Sequence, residues 1–192
     1  MVTGALIFLV ETVFGLFVVA LLLRFYLQWT RAPYRNPLSE FLHALTDFMV
    51  RPARRVVPGL WGLDLATFVL AWLIQLIELF IVIQLRGYQA GADAGMAFVA
   101  LALLALVMLA KIGLYIIMVA IIVQVVLSWA GPYSPMTPLL NSLTRPFLRV
   151  VQKRIPPVGN VDLSPLVVVV VIQLLLMLPV AYLEAAISQL LR

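Results

Sequence analysis

The sequence predicts an all-α membrane protein of about four transmembrane helices, arranged as two parallel two-helix repeats, each with an amphipathic interfacial helix in its cytoplasmic loop. Three observations carry this expectation. The 192 residues are 65% hydrophobic and 11% charged, with a mean hydropathy of +1.14, where a soluble domain is about half apolar and about a quarter charged. Several apolar stretches reach the roughly 20 residues that a helix needs to cross a bilayer core. The two halves also share an ordered pattern of tryptophan, proline, arginine and aspartate. Thirteen basic and eight acidic side chains are too few to clothe a soluble core of this size.

The first apolar segment runs over 6–29, broken by Glu11 and Arg24, with Arg24 and Trp29 marking a basic, aromatic end. Its length, and the lack of a basic stretch before it or a small-residue cleavage site after it, identify a retained span rather than a signal peptide. The second span covers 65–85 and carries Gln75 and Glu78. The third apolar stretch, 95–130, would measure about 54 Å as one helix, well beyond a core of about 30 Å. The polar interruption at Lys111 and Gly113 therefore predicts a crossing over 112–130. Residues 96–110 are then an outer extension, a tilted continuation or a re-entrant piece. The last span, 165–186, contains Pro179, which is expected to kink it or to free a carbonyl. Gly4, Gly15, Gly113 and the Ala-rich 96–110 stretch point to close helix packing.

Between the spans of each half lie loops 30–63 and 131–163, which together hold nine of the thirteen basic residues. In the first, Leu38, Phe41, Leu42, Leu45, Phe48 and Met49 recur at helical spacing ahead of Arg51, Arg54 and Arg55. The second repeats the design from Pro138 through Leu143 and Phe147 to Arg149, Lys153 and Arg154. Both read as helices lying in the interface. By the positive-inside rule the two basic loops face the cytoplasm and both termini lie outside. Basic faces of this kind hold anionic lipid headgroups or a protein partner, and nucleic acid is not the expected ligand.

The halves, 1–92 and 93–192, match at Trp29 and Trp129, at Asn36-Pro37-Leu38 and Thr137-Pro138-Leu139, and at Thr46 and Thr144. They match again at Arg51 and Arg149, Pro58 and Pro156, and Asp64-Leu65 and Asp162-Leu163. Asp64 and Asp162 are placed to cap the helices that follow them. The pattern carried by Asn36-Pro37, Thr46 to Pro58 with Arg51-Pro52 and Arg54-Arg55, Asp64, and their counterparts resembles the YggT family of bacterial membrane proteins, whose chloroplast relatives include assembly factors for the cytochrome b6f complex. The second copy departs from it with Val150 in place of Pro52 and Gln152 in place of Arg54. The resemblance implies the bacterial inner membrane and a role in membrane homeostasis, osmotic stress tolerance or membrane-complex biogenesis.

With no cysteine and one histidine, His43, thiolate chemistry and bis-histidine metal or haem sites are excluded. No catalytic motif is visible, so the expectation is a protein that is not an enzyme and carries no cofactor and no metal. The notable intramembrane charges are Glu11, Lys111 and Glu78. Glu11 and Lys111 each precede their tryptophan by the same interval, about 27 Å along a helix. An ion pair between the halves is one expectation, with Glu78 a competing partner for Lys111. Snorkelling of each charge to the outer headgroups is the other. Two functions follow: a scaffold or assembly factor working with lipids, protein partners or further copies of itself, and a channel or transporter component with a polar path between the repeats.

Overall fold

The computed structural model describes residues 2–33, 36–59, 62–87, 94–130, 136–155 and 162–191. Pro156, residues 88–93 of the connection between the halves and residues 131–135 of the second loop lie outside the described residues. The order is α1 (Val2–Trp29), α2 (Pro37–Val56), α3 (Leu65–Leu85), α4 (Ala94–Ala130), α5 (Thr137–Gln152), α6 (Ser164–Leu175), a π turn (Leu176–Val180) and α7 (Ala181–Gln189). Helices α6 and α7 form one span with the π turn inside it, and Val2–Trp29, Leu65–Leu85, Gly95–Trp129 and Ser164–Gln189 are long and apolar enough to cross a membrane. Their outward faces keep large apolar side chains exposed, Phe8 at 66% and Met177 at 71% among them. Hydrocarbon is the solvent that makes such faces stable, and the chain is a multi-pass, all-α membrane protein.

Local chemistry sets the joints. After α1, Arg31 takes a left-handed φ of 51°, and its N–H bonds the Gln28 carbonyl at 3.1 Å while the Ala32 N–H reaches back to Leu27 at 3.0 Å. This is a Schellman closure, here built without glycine. The Asn36 side chain then accepts from the Ser39 N–H at 2.8 Å, with Pro37 supplying the first helical φ of α2. Asp64 caps α3 through the Thr67 N–H at 3.4 Å.

The third apolar stretch is one unbroken helix of 37 residues, so residues 96–110 continue the helix of the third span and are not a re-entrant piece. No proline interrupts α4, and a single Gly113 costs only about 1 kcal/mol. The glycines do not mark close helix packing: a β-carbon on Gly4, Gly15 or Gly113 would meet nothing within 4 Å. The alanines do, with Ala100 and Ala105 buried. In the last span, Pro179 has no N–H to give, and the chain answers with the π turn, where the Ala181 N–H reaches the Leu176 carbonyl.

Three apolar clusters hold the bundle. Val18, Leu21 and Leu22 of α1 meet Val50 of α2, Ala71 and Ile74 of α3, and Leu109 of α4. Ile121 and Leu148 meet Val168, Ile172 and Leu176 in the second half. Ala20, Tyr26, Leu27 and Leu42 of the first half meet Ala120, Leu139, Leu140 and Leu143 of the second. This last cluster joins the halves, and there the Tyr26 hydroxyl donates to the Leu143 carbonyl.

Candidate functional site

Arg24 lies just over one helical turn from the end of α1 and is only 4% exposed. Removing a guanidinium from water costs several kcal/mol, so it must be matched. Helix α2 matches it by folding back along α1: Arg24 Nη1 donates to Thr46 Oγ1 at 2.7 Å and to Asp47 Oδ1 at 2.8 Å. The Thr46 hydroxyl in turn donates to the Leu42 carbonyl at 2.6 Å. Asp47 is also held by Arg51, Nη2 to Oδ2 at 2.7 Å, and by His43 Nδ1 at 3.4 Å. Burial alone would raise the Asp47 carboxyl, but hydrogen bonds from Arg24, Arg51 and His43 outweigh it and lower it to about 2.

In the last turn of α2, Arg54 donates through Nη2 and Nε to Asp64 Oδ2 at 2.5 and 3.1 Å, and the Thr67 hydroxyl donates to the same oxygen. Burial pushes this carboxyl up as well, and the Arg54 and Thr67 bonds bring it below the ordinary carboxylate range. Between the two clusters lies a cavity of about 410 Å³ whose polar walls are Arg24, Gln28, Ser39, His43, Arg54 and Asp64. An apolar crevice of about 400 Å³, lined by Leu22, Phe25, Phe68, Leu109 and Ile116, lies on another face of α1 and shares Leu63 with it.

The second half builds the same frame from uncharged parts. Where Arg24 meets Thr46, the Thr144 hydroxyl donates to Gln124 Oε1. Asn141 stands where His43 does, and Gln124 Nε2 donates to its Oδ1 at 2.8 Å. Where Arg54 meets Asp64, Gln152 Nε2 donates to Asp162 Oδ2 at 2.8 Å. Asp162 also accepts from the Ser164 N–H at 2.9 Å, one residue short of the cap position that Asp64 occupies. Arg145 replaces Asp47 and is exposed.

The expected pair of Glu11 with Lys111 does not form, nor does Lys111 turn to Glu78. Lys111 Nζ meets Glu184 Oε2 at 2.8 Å, because the π turn delivers α7 against α4. Glu11 Oε1 lies 3.6 Å from Arg86 Nη2, and Glu78 accepts from Gln75 Nε2 at 3.1 Å. Equal depth was the wrong criterion, since azimuth about each helix axis decides which side chains face. Of the six predicted basic-face residues, Arg51 and Arg54 are committed to Asp47 and Asp64, while Arg55, Arg149, Lys153 and Arg154 are exposed. No group of three or more His, Asp or Glu side chains able to hold a metal comes together among the described residues. Sequence reasoning took Arg24 for an end marker and so missed a charge that, with Asp64, is the most deeply buried among the described residues.

The family model described as CCB3/YggT matches residues 3–85 and 103–183, one segment in each half. The chain is 36% identical over 183 residues to an uncharacterized protein of Pseudomonas aeruginosa, covering 94% of this chain and 91% of that one. It is 31% identical over 167 residues to an uncharacterized protein encoded in the proC 3′ region of Vibrio alginolyticus, covering 86% and 88%. It is 30% identical over 170 residues to the uncharacterized protein YggT of Escherichia coli K12, covering 88% and 86%. No solved structure matches.

Proposed function

The chain belongs to the CCB3/YggT family, and from that premise we propose that it is a non-enzymatic scaffold or assembly factor of the bacterial inner membrane. On this reading it holds anionic lipids and protein partners, or further copies of itself, and serves membrane homeostasis, osmotic tolerance or the biogenesis of membrane complexes. The observation that carries it is the pair of short helices beside the spans. Helix α2 buries Leu42 and Val50 while exposing Phe41 at 62% and Phe48 at 65%, with Arg55 exposed at its last turn. Helix α5 buries Leu139, Leu140 and Leu143, carries Arg149 exposed in its last turn and is followed by exposed Lys153 and Arg154. Exposed phenylalanine next to exposed arginine suits a bilayer interface rich in anionic headgroups. With the basic loops cytoplasmic, both termini are outside.

The polar side chains of the spans support this reading over a channel. Lys111 pairs with Glu184, Glu11 with Arg86, Gln124 with Asn141, and Gln173 with Met118. Among the described residues these are separate local contacts. The test is crosslinking in native membranes, comparing the parent chain with a variant in which Arg55, Arg149, Lys153 and Arg154 are all changed to Gln. Reproducible partners that disappear in the variant are expected. Partners that persist unchanged, or none in the parent, would rule out the basic faces as docking surfaces.

A further inference from the structure

The Arg24 cavity has a feature that the ion pairs leave unexplained. Arg24 makes both of its bonds through Nη1, and its Nε is buried with no hydrogen-bond partner. A guanidinium has donors only, so whatever completes it must be an acceptor. Among the described residues that line the Arg24 cavity, Asp64 is the one carboxylate, and it already accepts from Arg54 and Thr67. Arg24 is paired with Asp47 through Nη1 alone, and its buried, unmet Nε donor leaves the cavity suited to an acceptor such as an anion.

The second half serves as an internal control. Gln124 and Gln152 hold the same threonine and aspartate that Arg24 and Arg54 hold in the first half. The frame therefore does not require the charges, and their presence in one half alone calls for a different cause. We propose that the Arg24 cavity binds a phosphate-bearing anion, with the Arg24 guanidinium as its anchor. A volume of about 410 Å³ is within the range of small-molecule sites and admits a glycerophosphate group. Arg24 near the end of α1 and Asp64 at the start of α3 set the cavity at the edge of the spans, the depth of lipid phosphates. The apolar crevice that shares Leu63 would take an acyl chain. The inference goes beyond the scaffold reading, because exposed basic helices attract a charged surface without any cavity and the two ideas fail separately.

The test uses the purified full chain in an uncharged detergent and follows binding by thermal shift and native mass spectrometry. Phosphatidylglycerol, a diacylglycerol of matched chains and soluble glycerol phosphate are the probes. Saturable binding of phosphatidylglycerol without binding of diacylglycerol is expected. Arg24→Gln, which installs the residue the second half already uses, should weaken it by about 10- to 100-fold, the scale of a charge-assisted hydrogen bond. Arg145→Gln, an equal loss of charge outside the cavity and outside the basic faces named above, should change it by less than about threefold. Gln28→Phe, which fills the cavity wall and leaves Arg24 in place, should weaken it as well and covers the case in which Arg24→Gln does not fold. Binding of glycerol phosphate with the same dependence on Arg24 would identify a soluble ligand, and its failure beside binding of phosphatidylglycerol would identify the lipid. The proposal is overturned if neither phosphate binds, if the cavity variants bind like the parent, or if Arg145→Gln loses as much as Arg24→Gln.

Discussion

Removing Asp47 should harm the protein more than removing Arg24, although the two form one ion pair. Arg24 is 4% exposed and Asp47 24%, so their debts to water differ. Asp47→Leu leaves the buried guanidinium with Thr46 as its only partner, and stranding a buried charge in this way costs about 3–5 kcal/mol. Arg24→Met leaves Asp47 with Arg51 and His43. The loss is then a charged hydrogen bond, offset in part by the packing of methionine, about 1–3 kcal/mol. The double variant removes both charges and should cost less than Asp47→Leu alone, a coupling of about 2 kcal/mol. Equilibrium unfolding in mixed micelles, read by the fluorescence of the four tryptophans, gives all four corners of the cycle. Single costs that add up in the double variant, or an Arg24→Met cost above that of Asp47→Leu, would refute the reasoning.

Three further expectations use the same measurement. The Asp47 carboxyl is lowered to about 2 in the folded chain, so its contribution is fully present above the unfolded value near pH 4 and fades as pH falls toward 2. Solvent screening reduces it to about 1 kcal/mol, and Asp47→Asn should remove that part of the pH dependence. Asp64→Ala should cost about 2–4 kcal/mol, because a buried cap and an arginine partner are lost together. Asp162→Ala, exposed and bonded to neutral Gln152, should cost about 0.5–1.5 kcal/mol, and equal costs would contradict the asymmetry between the halves. A double-mutant cycle on Lys111→Met and Glu184→Gln should show coupling of about 1 kcal/mol, while the cycle of Lys111→Met with Glu11→Gln should show almost none.

The spans were legible because hydropathy is additive along a helix and asks nothing of its neighbours. Asp64 was legible as a cap for a similar reason, since a cap bonds backbone only three residues away. Glu184 was not legible as the partner of Lys111. The two are separated by 73 residues, and their meeting depends on the rotation that the π turn at Pro179 gives to α7. Proline announces a disturbance in a helix, but its direction is decided by packing against α4. The continuity of α4 through Lys111 was hidden for a related reason: a lone lysine interrupts a span in the sequence, and a carboxylate at 2.8 Å removes the interruption in the fold.

Arg24 needed a different kind of sequence reading. Its neighbours in the chain, Leu23, Phe25 and Trp29, are those of any basic residue at a membrane edge, and nothing local indicates that α2 returns to cover it. The alignment of the halves did contain the signal. At the offsets that pair Trp29 with Trp129 and Thr46 with Thr144, Arg24 falls on Gln124, Asp47 on Arg145 and Arg54 on Gln152. An acid replaced by a base opposite a base replaced by an amide is what a broken ion pair leaves behind in a duplicated unit. Residues that stay the same across the halves, Thr46 with Thr144 and Asp64 with Asp162, are those that hold backbone and helix ends in both. Those that change together are the ones whose charges face each other, so a comparison of the copies separates the frame from the chemistry placed on it.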